Sequence, residues 1–60
     1  MKHYLFECIA PGSANEGEQF IVGADCYDDA EEIARNNFGK CEFYGEISEM
    51  EAEASGLDEY

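Results

Sequence analysis

The pattern of apolar residues predicts an α+β domain: a three-stranded antiparallel sheet in order 2-1-3, one helix on one face, and a short C-terminal helix. Three observations carry this. Apolar residues alternate with period two through three short stretches, as half-buried strands require. Between the second and third stretch the period changes to that of a helix. The chain of 60 residues suits one domain, 1–60, and no more.

The first strand covers His3–Ile9, with Tyr4, Phe6 and Cys8 on one face and Leu5, Glu7 and Ile9 on the other. Ala10–Gly17 is rich in Pro, Gly, Ser and Asn and reads as a loop. The second strand covers Glu18–Ala24 and places Phe20, Val22 and Ala24 together, so the two strands form a hairpin. Asp25 is the expected N-cap of the long helix, with Asp28 three residues later. Cys26, Ala30, Ile33, Ala34 and Asn37 follow helical spacing and form a narrow face of small residues, flanked by Tyr27 and Phe38. Gly39 ends the helix.

Lys40–Ile47 is the third strand, with Cys41, Phe43, Gly45 and Ile47 alternating against Glu42, Tyr44 and Glu46. Ser48-Glu49-Met50-Glu51 matches a capping box and starts the short helix, which Met50, Ala54 and Leu57 dock and Gly56 stops. Asp58–Tyr60 reads as a tail. A helical crossover from the second to the third strand should be right-handed, and the third strand is expected beside the first. The sheet face away from the long helix then carries Leu5, Glu7, Ile9, Ile21, Glu42, Tyr44 and Glu46, a mixed surface that suits a partner, a second copy, or solvent.

Charge is the strongest functional clue. Fifteen residues are Asp or Glu against three Lys or Arg, a formal net charge of −12. Ten of the acids lie in Asp25–Glu32 and Glu49–Glu59. Such self-repulsion disfavours a compact state. A domain this small buries only about 60% of its unfolded surface. Yet 45% of the residues are hydrophobic and eight are aromatic, which is too apolar for a disordered acidic tail.

The helix dipole accounts for acids in first turns, such as Asp28, Asp29, Glu49 and Glu51. It does not account for Glu32, Glu53, Asp58 and Glu59. Five charges over eight helical residues give about one per 2.4 Å. That is close to the one per ~1.7 Å of duplex DNA.

Other chemistries find little support. His3, Cys8, Cys26 and Cys41 are the atoms of a Cys₃His set, but none falls in the close pairs that zinc sites use. The Asp25–Glu32 run lacks the glycine of a calcium loop. No metal or other cofactor is expected. The odd number of cysteines suits reduced, packed thiols. A cysteine nucleophile wants electropositive neighbours, and the only histidine stands at position 3, so no enzyme is expected. Direct nucleic-acid binding is opposed by charge. No apolar run spans a bilayer or forms a signal peptide, and the expected location is cytoplasmic.

The Asp25–Glu32 stretch and the closing Glu46–Tyr60 resemble the small acidic proteins with which bacteriophages block host defence, the anti-CRISPR proteins and anti-restriction DNA mimics. The resemblance is to a class and implies a non-enzymatic inhibitor. Its partner would be a basic nucleic-acid-binding protein or effector complex of the host. Asp25, Asp28, Asp29, Glu32, Glu49 and Glu53 would meet Arg and Lys of the groove, and Tyr44 and Tyr60 would anchor the contact. The alternative is a small homodimeric structural or regulatory accessory protein whose acids keep it dissolved.

Overall fold

The computed structural model describes all residues, Met1–Tyr60. The elements are β1 (Lys2–Cys8), β2 (Gln19–Ala24), α1 (Tyr27–Phe38), β3 (Cys41–Ile47) and α2 (Glu49–Ser55). The sheet is antiparallel in order β2-β1-β3, as expected, with β1 between the two parallel strands that α1 connects. The β1–β2 register pairs Tyr4 with Val22 and Phe6 with Phe20, which puts the aromatic faces of both strands on one side.

α1 closes that side. Tyr4, Phe6, Cys8, Phe20, Val22 and Ala24 from the sheet meet Ala30 and Ala34 from the helix, all buried. The two alanines bring the helix axis close, and the larger rings pack around them. Phe20 stacks on Phe38 with centroids 4.0 Å apart. No helix is long and apolar enough to cross a membrane.

The long helix starts later than its first acid suggests. Its N-cap is Cys26, in extended conformation and without a side-chain cap bond. The first helical bond runs from Ala30 N–H to Cys26 C=O. Ala30 must face the sheet directly after β2 ends at Ala24, and this fixes the helix start one residue beyond Asp25. Cys26 and Asn37 are therefore exposed, and the inward stripe is Ala30, Ile33, Ala34 and Phe38.

β3 changes face midway. Phe43 lies opposite Phe6, but Gly45, not Tyr44, lies opposite Leu5. Tyr44 is the extra residue of a bulge, and Gly45 takes φ 144°, a conformation that side chains disfavour. Beyond it the parity reverses. Glu46 pairs with Tyr4 on the α1 side, and Gly45 and Ile47 join Leu5 and His3 on the other side. The uniform alternation expected for this strand is broken here.

The far face of the sheet is half covered. Ile21 points away from α1 yet is only 1% exposed. The β2-to-β3 crossover and the return from β3 to the β2 edge run in opposite directions. With both right-handed, their helices lie on opposite faces. α2 accordingly packs against β1. Its buried residue is Ala52, whereas Met50 is 79% exposed, Ala54 is exposed and Leu57 half-buried. The capping box forms as expected: Glu51 N–H donates to Ser48 Oγ, and Ser48 N–H to Glu51 Oε1.

Asp58–Tyr60 is no loose tail. It runs parallel to β2 along its outer edge. Ile21 N–H donates to Asp58 C=O, Tyr60 N–H to Ile21 C=O, and Gly23 N–H to Tyr60 C=O. The Tyr60 ring stands edge-on to Phe20 and Phe38. Over the other face, Glu59 reaches His3 Nδ1 at 2.7 Å across β2. Gly23 lies beneath this link, and a Cβ there would come within 2.9 Å of the Glu59 carboxylate.

Candidate interaction surface

Thirteen of the fifteen carboxylates belong to exposed residues; Glu7 and Glu31 are half-buried. Cations neutralise almost none of them. Arg35 pairs with Glu31 at 3.4 Å, one turn away on α1, and His3 pairs with Glu59. Lys2 and Lys40 form no ion pair. The negative surface is thus free to meet an external cation.

The expected site residues do not form one face. Asp28 and Asp29 occupy the first turn of α1 and Glu32 the next, with Asp25 just before the helix. Glu49 and Glu53 project from α2, on the opposite side of the sheet. Asp28 and Glu32, one turn apart, repel each other mildly, a cost that a basic partner would relieve. A flat surface meets either the α1 set or the α2 set, and only a cleft would meet both.

The two expected tyrosine anchors differ in setting. Tyr44 is 48% exposed on the uncovered half of the far face. Its hydroxyl donates to Glu7 at 2.9 Å. That bond to a carboxylate, with smaller contributions from desolvation and the negative charge of Glu7, raises the phenol pKa. Tyr60 is partly exposed, but its backbone and ring hold the C-terminal segment on β2. Its first role is structural.

Two aromatic residues outside that set form an exposed pair. Tyr27, at the first turn of α1, and Phe43, on β3, are 37% and 41% exposed. Their rings stand 4.8 Å apart at 66°. Tyr4 and Phe6 support them from beneath. The Tyr27 hydroxyl donates to Glu31 at 2.8 Å, which fixes the ring and raises its pKa, helped by desolvation and the charge of Glu31. Alternation marks Phe43 as inward-facing, and it is. What leaves it bare is the small face of α1, whose alanines shield the β1–β2 centre and not the β3 side. The signal in the sequence is that Ala30 and Ala34 are too small to roof three strands.

The surface holds no enclosed pocket. No three His, Cys, Asp or Glu side chains converge as metal ligands. Cys8 is buried beside Phe38, Cys41 is half-buried and Cys26 exposed; all three thiols are free. Burial raises the Cys41 pKa, and the neighbouring Cys8 adds to it.

Compared with protein-family models, curated proteins and solved structures, the chain finds no match.

Proposed function

We propose that the protein is a non-enzymatic inhibitor that binds another protein, its acidic surface occupying a basic groove that otherwise holds nucleic acid. The host target is a defence effector of the CRISPR or restriction type. One observation carries the reading: of thirteen exposed acidic residues, only Glu59 meets a basic side chain, His3. A surface serving only solubility intersperses both signs. This one offers Asp25, Asp28, Asp29 and Glu32 within eight residues, none of them in an ion pair. Such a surface steers a basic partner and selects it more than it tightens the final complex. Bound there, the protein excludes nucleic acid by volume and by charge.

The α1 set, Asp25, Asp28, Asp29 and Glu32, is the better docking face, because the Tyr27–Phe43 pair adjoins it. Inhibition of DNA cleavage is measured across purified CRISPR effector complexes and restriction nucleases. At least one should be inhibited, less so as salt rises. Changing Asp28, Asp29 and Glu32 together to Lys should abolish inhibition with the far-UV spectrum intact. Changing Glu49 and Glu53 to Lys should weaken it less. Absence of inhibition throughout the panel, or inhibition indifferent to the α1 triple change, refutes the reading.

A further inference from the structure

The two edges of the sheet differ. β2 is covered by Asp58–Tyr60, but β3 has no backbone neighbour on its outer side. Cys8 donates its N–H to Glu18 C=O, toward β2, and Ile9 donates to Lys40 C=O, toward β3. Amide directions alternate along an antiparallel strand. His3, Leu5 and Glu7 therefore bond toward β3, and their partners Ile47, Gly45 and Glu42 turn inward. Cys41, Phe43 and, past the bulge, Glu46 aim their amide groups outward. These same residues place their side chains on the α1 face, opposite Cys8, Phe6 and Tyr4.

We infer that the β3 edge accepts one extended segment of a partner protein, with an apolar residue seated on Tyr27–Phe43 and Lys or Arg beside it. The inference rests on the reading that the chain works by binding a basic protein, and it names how that protein is held. A residue paired with Phe43 points, like Phe43, over the exposed rings. Its neighbours along the strand approach Glu46 on this face, and Glu42 with the Tyr44–Glu7 pair on the other. Backbone bonds supply affinity, and the alternating side chains supply selection.

Charge complementarity decides against a second copy. Pairing β3 with itself joins two bodies of charge −12. It also brings the Tyr44–Gly45 bulge into the new ladder twice, whereas a straight foreign strand meets it once. Acids and a bulge on an edge strand are recognised means of discouraging self-pairing. Neither repels a basic strand.

The test uses the whole protein and a synthetic peptide of alternating Lys and Val with a central Phe. Two further peptides carry N-methyl groups on alternate amides, one in each parity. Backbone addition predicts that one parity binds as the parent does and the other at least tenfold more weakly, since only one set of amides faces β3. It also predicts slowed hydrogen exchange at the Cys41 and Phe43 amides on binding. Phe43→Thr, which keeps strand propensity, should lower affinity about tenfold; the methylated peptides make the point without altering the protein.

Equal binding by all three peptides overturns the inference, because charge alone then holds them; the acidic-surface reading survives that outcome. Failure of the parent peptide to bind overturns it too. So does protection of Cys41 and Phe43 that depends on protein concentration without peptide, which assigns the edge to a second copy. If backbone addition holds and no nuclease is inhibited, the choice of target is at fault and not the edge.

Discussion

Screening the protein's own charge should stabilise it, and the size of the effect follows from its dimensions. The Cα radius of gyration is 10.6 Å. The equivalent uniform sphere has a radius of about 14 Å, and the unfolded chain, with a radius of gyration of roughly 23 Å, one of roughly 30 Å. A sphere of charge −12 in water then carries about 8 kcal/mol of self-repulsion when folded and about 2 when unfolded, at a Debye length of ~8 Å.

At a Debye length of ~3 Å, near 1 M salt, these become about 4 and about 1 kcal/mol. The net penalty on folding falls by about 3 kcal/mol. A chain of this length has a total stability of roughly 3–9 kcal/mol, so the change is a large part of it. At ~4–8 °C per kcal/mol for a small domain, the melting temperature should rise by about 12–24 °C.

The assay is thermal unfolding by circular dichroism across a sodium chloride series. Its control is Glu18→Lys, Glu32→Lys and Glu53→Lys combined, three exposed sites that move the net charge from −12 to −6. Self-repulsion scales with the square of charge, so the salt response should fall to about a quarter. A flat melting temperature refutes the reasoning. So does an equal rise in parent and variant, which would mean that salt acts by strengthening apolar burial.

Two further expectations concern single groups. Tyr27 and Tyr44 have raised pKa values because each hydroxyl donates to a carboxylate. A raised folded-state pKa contributes stability that is full below the ordinary value of 10.0 and lost as pH climbs through the folded value. Absorbance titration at alkaline pH should show one step above the ordinary value that Tyr27→Phe removes and another that Tyr44→Phe removes; if either change instead removes a step at the ordinary value, the bond to its carboxylate is contradicted. Thiol alkylation followed by mass spectrometry at pH 8 should modify exposed Cys26 first and half-buried Cys41 more slowly, since its thiolate is disfavoured, with buried Cys8 reacting only on unfolding. Modification of Cys8 as fast as Cys26 would place it outside the core.

The parts of the fold legible in the sequence are those decided within a few residues or by general chirality. The alternation of Tyr4, Phe6 and Cys8 is local, as is the Ser48–Glu51 capping box. The face that α1 covers follows from the handedness of one crossover. The parts that were not legible depend on distant residues. Asp25 looks like a cap as well as Cys26 does, until the end of β2 dictates where Ala30 must sit. The parity switch at Gly45 appears only against Leu5 and Phe6 of another strand. Nothing local in Asp58–Tyr60 signals an edge pairing, because its partners Ile21 and Gly23 lie nearly forty residues away. Of the candidate surface, the acids were readable by composition. The exposure of Tyr27 and Phe43 required knowing how far two alanines extend over the sheet.

The difference between the two sheet edges also fixes how the molecule counts. A sheet open on both sides can go on adding strands, and that is how fibrils lengthen. Here the β2 side is already paired with the backbone of Asp58–Tyr60. The two sides of this sheet therefore differ in kind: the β2 side is already bonded to backbone, and the β3 side alone is left for addition.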